Sequence, residues 1–257
     1  MTAMMSLVAV AGCSGGDKES AEDALAKLGL SDSPAVVLAV AIERPSAQLV
    51  VEPDLTSAYL RVAYAARGYG WADAQCAVER AIQVIGVDAF ATLSVGSIGN
   101  LQAAYPDTEP AARECASPES LARLDIDVPE GEKRPATPAT DVDGAHVRTT
   151  LDGLYRASAA DRGLTATEAD CAVDKILTPR SDDDLAAVVE DNRQIDPADD
   201  ADEVVTCFSA ERIDEFVPQV GQALLDDRAE ANKEHDRIQA EINAQIDAMN
   251  ASTTTDP

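Results

Sequence analysis

The chain has 257 residues, with 47 acidic against 20 basic side chains and a formal net charge of -27. That balance argues against nucleic acid as a partner, because its phosphates require Lys and Arg, and against electrostatic adhesion to anionic lipid; solubility alone accounts for such acidity. Aromatic residues make up 4% of an alanine-rich chain, which excludes a sheet core of large side chains and points to an all-α fold of small helices.

The chain opens on an apolar stretch, Met4–Ala11, followed by small residues. The run Val10-Ala11-Gly12-Cys13 looks like a bacterial lipobox. The resemblance implies that residues 1–12 are a signal peptide, removed so that Cys13 becomes a lipidated N-terminus. No Lys or Arg precedes the apolar stretch, although a signal normally begins with a basic region, so the true start is expected upstream of Met1. Residues 13–19, with Ser14, Gly15 and Gly16 leading into charged residues, read as a flexible tether. No later segment has the roughly 20 apolar residues of a membrane span. The longest, Pro34–Ile42, stops at Glu43-Arg44, so lipid on Cys13 is the expected membrane anchor.

Residues 20–55 read as an N-terminal segment helical in two pieces. Next come two stretches, residues 56–127 and 148–217, that align at a shift of 95 residues. Arg61–Gly68 faces Arg156–Gly163, Ala74–Arg80 faces Ala169–Lys175, and Asp88–Leu93 faces Asp183–Val188. A shift of 92 residues then sets Cys115–Glu119 against Cys207–Glu211. The two stretches are read as tandem helical repeats. In the second, Thr165 and Glu168 have the spacing of a capping box, and Gly70 and Asp73 form a weaker version in the first. Apolar residues at helical period follow each start. Gly68 and Gly163 are expected to separate successive helices, Gly86 to end one, and Ser117 and Ser209 to cap the helices after the second cysteines.

Setting Cys13 aside leaves Cys76, Cys115, Cys171 and Cys207, an even number that reads as a disulfide framework in an oxidising compartment. On a helical wheel, Cys76 and Cys171 lie opposite the apolar stripe, as expected for ties to a crossing segment. Bridges Cys76–Cys115 and Cys171–Cys207 follow from the repeat symmetry. Crossed pairing between copies stays open on sequence alone.

Residues 128–147, with Pro129, Pro135 and Pro138, read as a linker containing His146. Residues 218–257 read as a polar helical tail, where Ile238, Ile242 and Ile246 make a narrow stripe. So narrow a stripe fits a solvated or packed-back helix better than a partner seam.

Catalytic signals are lacking. The two histidines, His146 and His235, have no nucleophile near them in sequence, and there is no G-x-S-x-G elbow, H-E-x-x-H pair or phosphate loop. The cysteines lack zinc spacing. Ten acids lie from Asp182 to Glu203 but without an EF-hand pattern, so they read as a solvated acidic face. No metal, cofactor or enzymatic activity is expected.

The pattern Gly163-Leu164-Thr165, Ala169-Asp170-Cys171-Ala172-Val173 and, 36 residues after Cys171, Cys207-Phe208-Ser209 resembles small exported domains in uncharacterised actinobacterial lipoproteins. The likeness covers most of Thr56–Val217 and implies an envelope location and a disulfide, with no activity attached. Together these readings describe a lipid-anchored, extracytoplasmic membrane protein, made of two disulfide-stapled repeats, that binds or scaffolds another envelope protein without catalysis. The alternatives are a small-ligand or cation-binding lipoprotein serving a transporter or sensor, and an envelope hydrolase.

Overall fold

A computed structural model describes residues 33–124, 141–191, 193 and 195–253. The signal-like segment, Cys13, the tether and most of the linker lie outside these residues. Those described form an all-α protein of thirteen α-helices and one 3₁₀ turn, with no strand among them. The sole β-type pairing there is an isolated antiparallel bridge between Val50 and Ser94.

Helix α1, Pro34–Glu43, is the apolar run that sequence alone measured against a membrane span. Proline stands at its start, where the missing N–H costs nothing. Ala35 and every residue from Val37 to Ile42 are buried, so the helix is apolar on all sides because protein surrounds all sides. Burial contributes roughly 1.5–3 kcal/mol for each of Val37, Leu38, Val40 and Ile42. At its far end the Ser158 hydroxyl donates to the Ala41 carbonyl at 2.8 Å, satisfying a terminal acceptor that water does not reach.

Helix α2 (Pro53–Arg67) leads to α3 (Trp71–Ile85). Between them Gly68 has φ 117°, a conformation that penalises any Cβ. Its N–H donates to Ala65 O, and the Tyr69 N–H reaches Tyr64 O, the Schellman closure of a helix end. Short helices α4 (Val87–Phe90), α5 (Val95–Gly99), α6 (Leu101–Ala104) and α7 (Thr108–Arg113) return the chain along α3 to Cys115. Pro118 then starts α8, Pro118–Leu124.

The second half begins with α9, Gly144–Asp161. Residues 144–147 are thus helical rather than linker, because the Asp143 carboxylate accepts the His146 N–H and caps a helix there. Gly163 at φ 84° repeats the Schellman closure, with bonds from Gly163 to Ala160 and from Leu164 to Ala159. Helix α10 (Ala166–Leu177) opens on the expected Thr165–Glu168 capping box, and α11 (Asp182–Glu190) opens on a second box, Ser181–Asp184. Helix α12 is Pro197–Val204, followed by the 3₁₀ turn Val205–Cys207. Helix α13 spans Ala210–Thr253 and passes through Pro218 without a break, so the end of the second stretch and the polar tail share one helix. The side chains of Ile238, Ile242 and Ile246 lie outside those described.

Two apolar cores result. One surrounds α1 with α9, α10 and α12, and takes in Phe208 together with Phe216, Val220 and Leu224 of α13. The other joins α2 and α3 to Phe90, Leu93, Ile98 and Leu101. Val147 of α9 and Leu185 and Val189 of α11 belong to this second core, so the later half of the chain helps to close the earlier one. At that junction Gly144 approaches so closely that an added Cβ would lie 1.9 Å from the Asp182 carbonyl oxygen. Arg148, one turn on, bonds the Leu177 carbonyl at 2.8 Å and the Asp182 carboxylate at 2.6 Å, fixing the turn between α10 and α11.

Candidate functional site

The four cysteines come together in the expected pairs. Cys76–Cys115 has a Cα separation of 5.7 Å and Cys171–Cys207 one of 5.8 Å. All four are half-buried, consistent with their place off the apolar stripe. Each bridge ties the middle of a two-faced helix, α3 or α10, to the segment crossing its outer side.

Polar contacts reinforce each tie. In the first half the expected Gly70–Asp73 cap is replaced by a tertiary one. Glycine has no side chain to accept a bond, and the Asp73 carboxylate turns instead to α8, accepting the Ser117 N–H at 2.9 Å and the Ser120 hydroxyl at 2.6 Å. The Gly70 N–H donates to Ser120 Oγ at 2.8 Å. Arg123 completes the set, donating through Nε to the Gly68 carbonyl at 2.9 Å and through Nη2 to Ser120 Oγ at 3.1 Å. Burial works against the Asp73 charge, but the Ser120 and Ser117 bonds prevail and hold its carboxyl below the usual range.

In the second half Glu168, 95 residues after Asp73, accepts Arg212 Nε at 3.0 Å. Arg212 Nη2 donates to the Gly163 carbonyl at 2.9 Å, and its guanidinium lies over the Phe216 ring at 4.6 Å. Again burial opposes the carboxylate, while the Thr165 amide and Arg212 lower it. In both halves an arginine on the helix after the second cysteine holds the glycine carbonyl. It bonds the acid on the cysteine-bearing helix directly in the second half and through Ser120 in the first.

A third polar group lies beneath α1. Arg180 grips Asp200 with two bonds, Nη1 to Oδ1 at 3.0 Å and Nη2 to Oδ2 at 2.6 Å, and also bonds the Ile176 carbonyl. Asp200 is only 7% exposed, so this guanidinium provides its counter-charge. Beside the pair stands Glu43, the last residue of α1. Both of its carboxylate oxygens are buried and have no hydrogen-bond partner among the described residues. Burial, with the Asp200 charge, pushes the Glu43 carboxyl up to about 8, even though Arg180 and Arg44 pull it down. Burial also raises the neighbouring Tyr155 and Tyr59.

The acids from Asp182 to Glu203 serve several structural roles. Asp184 and Asp196 cap helices, Asp200 binds Arg180, and Glu203 accepts from Lys175 at 2.9 Å. Among the described residues, no three His, Cys, Asp or Glu side chains gather where they would hold a metal ion. No described helix is long and apolar enough to cross a membrane. His146, expected in a linker, packs edge-on to Trp71 with ring centres 5.2 Å apart. Burial and the Arg61 charge lower its proton affinity. The Arg61 guanidinium lies over the same Trp71 ring, 3.9 Å from its centre.

Sequence reasoning missed Glu43, Arg180, Asp200, Arg123 and Arg212. For Glu43 a signal existed, since it directly follows a continuous apolar run. Arg180 and Asp200 meet only because the chain folds back between α10 and α12, which no local spacing encodes.

Comparison of the chain with protein-family models, curated sequences and solved structures returned no match.

Proposed function

We propose that this is a lipid-anchored cell-envelope protein, tethered through Cys13 on the extracytoplasmic face, that binds or scaffolds another envelope component without catalysis. The observation that carries the reading is the pair of disulfides, one on each half of the body. Bridges of this kind form and persist in oxidising compartments, which agrees with the lipobox-like run ending at Cys13. The body is read as a duplication of one unit. Support comes from the left-handed glycines Gly68 and Gly163 with matching closures, and from the arginine bond to the carbonyl of each. Asp73, Arg123, Glu168 and Arg212 are taken up in these ties, which favours a structural role for them over a chemical one.

Helix α13 supplies the surface best suited to a partner. Its last buried side chain described is Leu224, and the helix continues for about 43 Å beyond it at 1.5 Å per residue. From Ala229 onward the described side chains, among them Ala229, Asn232 and Ala240, are exposed.

Two measurements test the proposal. Non-reducing peptide mapping of protein from native membranes is expected to yield an acylated Cys13 peptide, whereas an unmodified Cys13 overturns the anchor. Crosslinking in intact cells is expected to trap one reproducible envelope protein through α13. Failure to trap any, combined with a thermal shift on adding a small ligand or cation, would replace scaffolding with a ligand-binding role.

A further inference from the structure

Helix α1 is the first described element after the tether segment, and the core of the C-terminal half is assembled around it. Its apolar surface needs no polar complement until the last residue, Glu43. There the chain places a carboxyl group whose two oxygens are sealed from solvent and bonded to nothing among the described residues.

The charges around it are already matched. From α12 come Asp200, held by both arms of Arg180, and Asp196, which caps its own helix at the Ala198 N–H. Arg180 follows α10 and is divided between Asp200 and the Ile176 carbonyl. Helix α9 presents the buried Tyr155 and α2 presents Tyr59, both of which burial keeps protonated. The adjoining Arg44 is exposed. On the α13 side, Asp227 is occupied by Arg162 and by the Ser46 hydroxyl at 3.2 Å. Among the described residues on these elements, Arg180 is already committed to Asp200 and Arg44 lies out in solvent, so neither makes a hydrogen bond to the Glu43 carboxyl.

We propose that Glu43 is a proton-operated latch for α1. With the proton on, the neutral carboxyl sits against Tyr155 and the Arg180–Asp200 pair, and α1 stays docked. With the proton off, a second negative charge appears beside Asp200 in a site closed to water, where an uncompensated charge is strongly unfavourable. The least costly relief is for the end of α1 to move away from α12 and let the carboxylate reach solvent. The raised proton affinity of Glu43 sets this change in the mildly alkaline range. The device couples pH to the docking of α1. It depends only on the fold, so it stands or falls separately from lipidation.

Hydrogen exchange on the full, disulfide-intact chain tests it, with protection factors corrected for intrinsic rates. Between about pH 6 and about pH 9, protection over Val37–Glu43 is expected to fall at least about tenfold, the equivalent of one pKa unit, while Ala77–Ile85 of α3 holds steady. Glu43→Gln keeps the shape and removes the charge, and is expected to abolish the dependence. An equal loss in α1 and α3, or an unchanged dependence in E43Q, overturns the latch. Should E43Q not fold, a carbon-13 titration of the wild-type Glu43 carboxyl decides. A midpoint above about 6 supports the proposal, and one in the ordinary carboxylate range near 4.3 overturns it.

Discussion

The guanidinium of Arg212 donates to the carbonyl oxygen of Gly163 at 2.9 Å, linking the start of the long terminal helix to the end of α9. Arg123 makes the same contact with Gly68 in the first half. In each case the carbonyl belongs to a left-handed glycine, whose own helix leaves that oxygen without a partner. The arginine thus closes a helix end and, through its other nitrogens, a second helix start.

Replacing Arg212 by Ala removes a charge-assisted bond to Glu168 and leaves the Gly163 carbonyl unsatisfied. A loss of about 1.5–3 kcal/mol is expected from urea unfolding with both disulfides intact. Arg212→Lys is expected to recover little, since an ammonium cannot span the carboxylate and the carbonyl as a planar fork does.

The bridges Cys76–Cys115 and Cys171–Cys207 close loops with sequence separations of 39 and 36 residues. The chain-entropy relation assigns each about 4 kcal/mol. Thermal unfolding with and without reductant should show a large drop in midpoint. The paired substitutions Cys76→Ser/Cys115→Ser and Cys171→Ser/Cys207→Ser should each reproduce part of it.

Gly144→Ala is expected to destabilise by about 2–3 kcal/mol or more, because its Cβ would overlap the Asp182 backbone, which is locked by the α11 capping box. Gly99→Ala is the control. Nothing lies within 4 Å of a Cβ there, and the change is expected to be neutral or mildly stabilising in the same unfolding assay.

Stability should decline toward both ends of the pH range, for opposite reasons. The Asp73 and Glu168 carboxyls are lowered in the folded state, so the stability they contribute is present above their unfolded values and lost as pH falls through the folded ones. Glu43 is raised from 4.5 to about 8, so its contribution is complete below 4.5 and is lost as pH rises toward 8. Denaturant midpoints of E43Q and wild type should coincide near pH 4 and diverge above it, with E43Q the more stable near pH 9. Curves that stay parallel across that range would contradict the assignment.

Much of the architecture is written in local sequence. Helix starts at Thr165, Ser117 and Ser209, helix ends at Gly68, Gly86 and Gly163, and the all-α class itself follow from residues within a turn or two of one another. Capping and left-handed closure are short-range interactions, which is why the sequence displays them. The cysteine pairs were legible too, because the 95-residue offset and the wheel position of Cys76 and Cys171 left one economical pairing. Tertiary structure alone decided where those helices go. The run Pro34–Ile42 is apolar whether it ends in lipid or in protein, and only packing by α9, α10, α12 and α13 makes it the centre of a core. Arg180 meets Asp200, and Glu43 loses its water, because three distant segments converge. Desolvation belongs to the assembled surroundings of a group, and no single stretch of chain contains it.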